Sequence, residues 1–349
     1  EDLLGHVMPL PLPSVEECAA TGIQLHELGH IDERDCIGMG QFSRIYRTTL
    51  GGATVAVKIS KRPVTIAEAS AASDAATHEG ASLEDEHDLL CFASEVAIMQ
   101  DKTLHHPHIA KYIAHGVCRH HGVGGIGFIV IEMLAGKDLR KVLLQREGSV
   151  SLTQAQQWAL QLARALAHLH ALDIIHRDIK PSNCMICDRE GGISERSISE
   201  GRTLKLVDFG LALRFPQRSS ATGGYADGRG SDMCDARVTS YQSEQCVGVQ
   251  GYMAPEVQKC MAYGMPVDIY AFGAVLHKML CNAQPASWFE KISGSFLQLL
   301  NDPAQPPTVS SKWPPSLSTL IQDCCAVEPV QRPSASRITE LLGVQSCQI

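Results

Sequence analysis

Ile174-Ile175-His176-Arg177-Asp178-Ile179-Lys180-Pro181-Ser182-Asn183 places a dense polar cluster directly behind a long amphipathic helical pattern. Packing does not explain such a group. Asp178 can accept a hydroxyl proton and orient a nucleophile, Lys180 can neutralise charge on a phosphoryl group in transfer, and Asn183 offers a hard oxygen to Mg²⁺. The preceding helix is announced by Ser151 and Gln154, a capping-box pair. Ala159, Leu162, Ala163, Leu166 and Leu169 then repeat at helical spacing as one buried stripe.

Working outward, Leu206-Val207-Asp208-Phe209-Gly210 sets a carboxylate at a strand end before a flexible glycine, which makes Asp208 the principal candidate metal ligand. Upstream, Ile37-Gly38-Met39-Gly40-Gln41-Phe42-Ser43-Arg44-Ile45-Tyr46 lies between two predicted strands. Small residues there let backbone N–H groups approach a polyphosphate, although a plain hairpin also fits this loop taken alone. Lys58 sits inside the apolar strand Thr54-Val55-Ala56-Val57-Lys58-Ile59, where a buried ammonium needs an anion. Glu95, flanked by Ala93, Val96 and Ala97, is available on the next helix and would leave Lys58 able to reach phosphate oxygens; the alternative is a surface Lys and a surface Glu that never meet. Single triplets arise by chance, but the ordered series of glycine loop, Lys58, Glu95, Asp178, Asn183 and Asp208 does not.

Around these residues the chain organises into two regions. From Arg34 to Ser60 short β-prone stretches broken by glycines predict a three-stranded meander, followed by a helix over Leu90 to Gln100 and two further β-like stretches, the second at Phe128 to Ile131. Beyond Gly136 helices dominate, with a second long one over Val267 to Cys281. Pro9, Pro11 and Pro13 predict an extended arm packed on its own domain. Arg62 to Asp88, ending in the acidic run Glu84-Asp85-Glu86-His87-Asp88, has the composition of an exposed insertion, and the Gly- and Ser-rich stretches Arg189 to Arg202 and Gln217 to Ser243 read as mobile and exposed.

Composition sets the outer limits. The 349 residues are 44% hydrophobic and 19% charged, enough for a real core and roughly two compact units. Thirty Lys plus Arg against 38 Asp plus Glu give a net charge of −8, which argues against nucleic acid as a main partner. The longest apolar runs, such as Phe128 to Leu134, fall far short of the roughly 20 residues that span a bilayer, so no membrane span is expected. Thirteen cysteines without regular spacing, and no apolar signal core near Glu1, suggest a reducing intracellular, cytoplasmic setting.

With these motifs in order, the chain resembles a eukaryotic protein kinase catalytic domain over roughly Ile31 to Leu342. Val55-Ala56-Val57-Lys58, His176-Arg177-Asp178-Ile179 through Asn183, Asp208-Phe209-Gly210 and Ala254-Pro255-Glu256 carry the likeness, joined by Asp268-Ile269-Tyr270-Ala271-Phe272-Gly273 and Arg332-Pro333. The resemblance implies an α+β, bilobal protein-kinase-like fold: a small antiparallel β-sheet N-lobe with one major helix, and a mainly helical C-lobe. It divides the chain into an extension over 1–24, an N-lobe over 25–133 with the insertion at about 62–88, and a C-lobe over 134–345 with insertions at about 189–202 and 217–243. It implies ATP and Mg²⁺ as cofactors and proteins with Ser or Thr acceptors as substrates. Lys58, Glu95, Asp178 and Lys180 would be catalytic and Asn183 and Asp208 would hold the metal. Ile37, Gly38, Gly40 and Ser43 would cover the nucleotide with Lys58; Ile45 and Ala56 above and Met185 below would sandwich the purine. The backbone of Glu132 and Met133 would bond its edge, with Ile131 behind as gatekeeper. The likeness further implies a Glu256–Arg332 ion pair, a packed column of Met99, Phe209 and His176, and a phosphate-steered activation segment read through Arg177. Thr222, Ser231, Thr239, Ser240, Tyr241 and Ser243 are its candidate positions, with 239–243 favoured.

Two departures stand out. Ser43 replaces the third glycine of the phosphate loop, and Val249 stands where the family usually carries a threonine whose hydroxyl bridges the Asp178 and Lys180 positions. Val249 is the best argument for a rival reading, a pseudokinase that binds nucleotide and partners without chemistry, while retention of Lys58, Asp178, Asn183 and Asp208 argues against it. Ala254-Pro255-Glu256 and Arg332 disfavour a small-molecule or lipid kinase. Lys180 points to Ser/Thr acceptors, and Gly251 to Glu256 with Cys325 to Pro333 look most like the tyrosine-kinase-like group. Cys184-Met185-Ile186-Cys187 falls on a predicted buried strand without a second pair at zinc spacing, and His105-His106, His108 and His120-His121 read as structural.

Overall fold

The protein is described by a computed structural model covering residues 22–40, 43–61, 92–120, 124–145, 150–188, 202–215, 241–242, 248–282, 307 and 309–345. Most of the expected N-terminal arm, the insertion at 62–88, nearly all of 189–202, His121 and the candidate phosphosites apart from Tyr241 lie outside the described residues.

Five antiparallel strands form the N-terminal sheet in the order β1-β2-β3-β5-β4: β1 (Cys36–Met39), β2 (Ser43–Leu50), β3 (Ala53–Ser60), β4 (Tyr112–His120) and β5 (Gly124–Glu132). Gly51 and Gly52, at φ +57° and +83°, close the β2–β3 hairpin between the paired residues Leu50 and Ala53, a two-residue turn whose twist only residues tolerant of positive φ adopt easily. The β-branched, aromatic and apolar residues on one face of the sheet, Tyr46, Val55, Val57, Phe128 and Val130, make a small core. A helix over 92–99, here α1, packs against the other face and joins the main core through Phe92, Val96, Ile98 and Met99.

The remainder is mostly helical: α2 (Leu139–Gln145), α3 (Leu152–Ala171), α4 (Pro255–Gln258), α5 (Pro266–Asn282), α6 (Pro315–Cys324) and α7 (Ala335–Gln345). The capping box at the start of α3 is formed in both directions, Gln154 N–H to Ser151 Oγ at 3.2 Å and Ser151 N–H to Gln154 Oε1 at 3.0 Å. The stripe read from sequence is fully enclosed, each of Ala159, Leu162, Ala163, Leu166 and Leu169 being 0% exposed. At about 1.5–3 kcal/mol for each large apolar side chain withdrawn from water, this face anchors the lobe. Helix α5 is buried on all sides, the pattern of a core helix, so its lone carboxylate, Asp268, must be paired.

Two small sheets lie between the helices. Strands β6 (Gly136–Asp138), β8 (Cys184–Cys187) and β9 (Thr203–Leu206) pair in the order β6-β8-β9, and β7 (Ile174–Ile175) pairs with β10 (Leu213–Arg214). Tyr241 and Gln242, read as part of a mobile exposed stretch, form β11 (Tyr241–Gln242), which pairs antiparallel with β12 (Ala262–Tyr263). Two residues carry no detectable alternation, and the pairing is supplied by a partner strand that follows Glu256.

Arg332 and Glu256 make a bidentate ion pair at 2.6 and 2.8 Å, with the Arg332 side chain 0% exposed. The guanidinium also donates to the carbonyls of Ala326, Pro266 and Val327 and lies 5.2 Å from the Tyr270 ring centroid, so every charge is met inside the fold. Replacing Arg332 by Met leaves Glu256 buried and uncompensated, with an expected loss of about 3–5 kcal/mol in urea unfolding; a loss below about 1 kcal/mol contradicts this assignment of the pair as the lobe's internal tie.

Candidate active site

Strand β3 carries Lys58 into the cleft between sheet and helical lobe, opposite Ile45 of β2 and Ile129 of β5. Its Nζ donates to Glu95 Oε1 at 2.8 Å, Glu95 Oε2 at 2.7 Å and Asp208 Oδ1 at 2.6 Å. The surface-residue alternative for Lys58 and Glu95 is thereby removed, since their side chains are only 18% and 6% exposed. Burial alone would favour the neutral amine, but Asp208 and Glu95 outweigh it and hold the Lys58 pKa above its ordinary value. Burial raises the Glu95 carboxyl, Lys58 pulls it back only partly, and the neighbouring Asp208 charge adds to the rise. Burial also opposes ionisation of Asp208, yet Lys58 wins there and brings it down to about 2.

Asp208 follows β9 with φ +67°, a left-handed conformation that a non-glycine residue keeps only where its surroundings fix it. Phe209, next in the chain, is fully buried and meets the His176 ring edge-on at 5.0 Å between centroids; Met99 belongs to the same core. The Asp208 side chain stays 43% exposed, so a carboxylate oxygen remains directed at the cleft.

The catalytic-loop candidates form a second knot. Lys180 Nζ donates to Asp178 Oδ2 at 2.7 Å, and Asn183 Nδ2 donates to Asp178 Oδ2 at 2.8 Å and to the Asp178 carbonyl at 2.9 Å. A 3-10 turn over Pro181–Asn183 folds Asn183 back onto Asp178. Because its amide nitrogen is spent on Asp178, Asn183 keeps its side-chain oxygen for another partner. Val207, next to Asp208, donates its N–H to the Asn183 carbonyl at 3.0 Å, tying the two knots together. Lys180 and Asp178 meet directly, so their contact does not depend on the hydroxyl that Val249 lacks. Val249 is 43% exposed and lines a cavity with Arg177, Asp178, Ile179, Tyr252 and Met253.

Sequence reading quoted Asp268 as a marker and gave it no role. In the structure its carboxylate accepts the N–H groups of His176 (2.8 Å) and Arg177 (2.9 Å) and His170 Nε2 (3.0 Å). Burial opposes its charge, and the His170 hydrogen bond leads the interactions that nonetheless hold its pKa below the ordinary range. Asp268 thus pins the backbone on which Asp178 rides, including Arg177 at φ +64°. A single carboxylate inside a helix apolar all round was the available signal. Tyr263 was also missed: its hydroxyl takes Arg177 Nη1 at 3.1 Å, while Arg177 Nε donates to the Leu211 carbonyl.

The remaining candidates lie on or beside β1, β2, β3, β5 and β8. Gly38 faces Ile45 across a bulged β1–β2 pair, Ile37 is 43% exposed, Ser43 is buried, and Ala56 is buried opposite Ile131. Gly40 has no positive φ, and a Cβ built on it would come no nearer than 3.6 Å to Ser43, so neither backbone nor packing demands glycine there. Met185 is the half-buried member of an otherwise buried β8. Cys184 and Cys187 are interior thiols, raised by burial to about 12 and about 11. The Glu132 N–H is given to the Lys111 carbonyl at 2.9 Å, so any bond from Glu132 to a purine edge falls to its carbonyl.

Comparison with known proteins agrees with a two-lobed fold that carries this pair of knots. The protein kinase domain family matches residues 31–342, and the chain belongs to that family. It is similar to the dual specificity protein kinase shkE of Dictyostelium discoideum (27% identity over 311 residues, 88% of this chain and 36% of that protein). It is also similar to the serine/threonine/tyrosine-protein kinase HT1 of Arabidopsis thaliana (27% over 304 residues, 87% and 63%). A putative mitogen-activated protein kinase kinase kinase 7-like protein of Drosophila melanogaster is 32% identical over 198 residues, 55% of this chain and 42% of that protein. The chain therefore spans between about a third and two thirds of the length of these relatives. Among the described residues no helix is long and apolar enough to cross a membrane.

The depressed Asp208 pKa has a signed consequence. With about 2 in the fold against about 3.9 in the unfolded chain, its ionisation stabilises the protein above about pH 4, and that share is lost as pH falls towards 2. The stability difference between wild type and Asp208→Asn, measured by urea unfolding from pH 6 to pH 3, is expected to be constant above about pH 4 and to shrink below it; a difference that grows on acidification contradicts the assignment.

Proposed function

We propose that the chain is an ATP- and Mg²⁺-dependent protein kinase that phosphorylates Ser and Thr hydroxyls of protein substrates. The observation that carries this reading is the sharing of one ammonium, Lys58, by Glu95 and Asp208, with the Asp178–Lys180–Asn183 knot held to the Asp208 strand end through Val207. The donor set fits the cofactors. Two carboxylates against one ammonium leave a negative charge at the cleft, and the Asp208 and Asn183 side-chain oxygens are hard ligands of the kind Mg²⁺ accepts when phosphates and waters complete its shell.

When bound, ATP supplies the γ-phosphoryl group and Mg²⁺ the positive charge that offsets its oxygens. Lys58 binds phosphate oxygens and Glu95 holds Lys58 in place. Asp208 and Asn183 hold the metal. Asp178 orients the acceptor hydroxyl and takes its proton at a carboxylate oxygen, and Lys180 offsets charge between Asp178 and the transferred group. Gly38 and Gly40 allow close backbone approach to the phosphates, Ile45, Ala56 and Met185 enclose the purine, and the strand end at Glu132 with Met133 presents the polar edge. Most of the rate acceleration then comes from positioning and charge stabilisation.

Lys180 supports Ser/Thr acceptors, serine/threonine kinases stand among the relatives beside dual-specificity ones, and the net charge of −8 supports protein over nucleic acid as partner. The free thiols among the described residues support a reducing intracellular site of action. Asp178→Ala and Asp208→Ala are each expected to lower transfer from labelled ATP to a protein substrate by at least about 10³-fold while circular dichroism stays native. Undiminished transfer in either variant would sink the assignment.

A further inference from the structure

Glu132 ends β5 where the chain leaves the N-terminal sheet, and its side chain is held twice. Oε1 accepts the Lys111 N–H at 2.7 Å and the Lys205 ammonium at 2.5 Å, while its own N–H goes to the Lys111 carbonyl at 2.9 Å. Lys205 comes from β9, directly across from Met185 of β8 and on the strand that leads into Asp208. A partly buried charge pair, with side chains 21% and 26% exposed, thus joins the linker to β9, the strand that pairs with the Met185 strand and leads into Asp208. β9 itself cannot drift. Leu206 donates its N–H to the His108 carbonyl at 2.8 Å and its carbonyl accepts the Ala110 N–H at 2.9 Å.

We infer that Lys205 is a positioning residue for nucleotide binding: through Glu132 it fixes the strand end and linker that carry the purine edge, and registers them against Met185 and Asp208. This inference rests on the kinase reading above. A pair this exposed adds little to global stability, whereas it sets the angle at which two walls of one cleft face each other. Its loss should therefore be felt in nucleotide affinity before it is felt in unfolding or in the chemical step.

The test is calorimetric titration of the protein with ADP and Mg²⁺, alongside steady-state kinetics in ATP and thermal unfolding without nucleotide. Lys205→Met is expected to raise Kd for ADP and KM for ATP together by about threefold to tenfold, with kcat within about twofold and Tm unmoved. Lys205→Arg is expected to restore both constants, and Lys205→Met combined with Glu132→Gln to be no weaker than either single variant. Wild-type affinity in Lys205→Met, or a fall in Tm that Lys205→Arg does not reverse, overturns the inference and leaves the kinase reading standing. A wild-type protein that binds no nucleotide overturns both.

Discussion

One ammonium between two carboxylates is the constraint on which the rest of this structure turns. Lys58 bonds Glu95 and Asp208 at 2.6–2.8 Å, and the three groups come from a strand, a helix and a strand end separated by as many as 150 positions in the chain. Such a cluster is costly to assemble in a low-dielectric cleft unless each charge is met. Lys58 has two partners, Glu95 has both oxygens on Lys58, and Asp208 keeps an exposed oxygen. The unbalanced negative charge is therefore located at Asp208, facing the cleft, where a divalent cation carried by a phosphate ligand would complete the balance.

Much of the surrounding architecture holds these charges in register. β3 pairs with β2 along its length and with β5 from Val55 to Ile59, so Lys58 is fixed along the strand. Buried Phe92, Val96 and Met99 hold α1 and with it Glu95. Below the cleft, the Asp268 carboxylate inside α5 gathers the backbone of His176 and Arg177 and thereby the loop bearing Asp178. Two non-glycine residues at positive φ, Arg177 and Asp208, sit at the ends of these supports. Asp173 and Cys260 share that conformation away from the cleft, while at Arg177 and Asp208 it is held by the surrounding hydrogen bonds.

Local signals in the sequence carried most of the elements. Ser151 with Gln154 marks the start of α3, Gly51-Gly52 marks the β2–β3 turn, and the apolar run through α5 marks a core helix, because each follows from short-range physics. Membership of the site was also legible, since a lysine in an apolar strand and a carboxylate at a strand end both demand partners. Geometry was not. Spacing along the chain does not reveal that Lys58 reaches Asp208 as well as Glu95, that Asn183 folds back onto Asp178, or that Asp268 serves the catalytic loop through the backbone. Nor does it reveal that the Glu132 N–H goes to the Lys111 carbonyl, a pairing made by strand ends meeting in space. β11 escaped notice for the same reason: two residues become a strand only through their partner β12.

A crystal structure of the protein with Mg²⁺ and a non-hydrolysable ATP analogue tests the central claim most directly. The account expects the metal within about 2.1 Å of oxygens from both Asp208 and Asn183, with Lys58 still on Glu95 and turned from Asp208 to phosphate. Nucleotide bound elsewhere, or a metal that ignores Asp208 while Lys58 keeps both carboxylates, would contradict it.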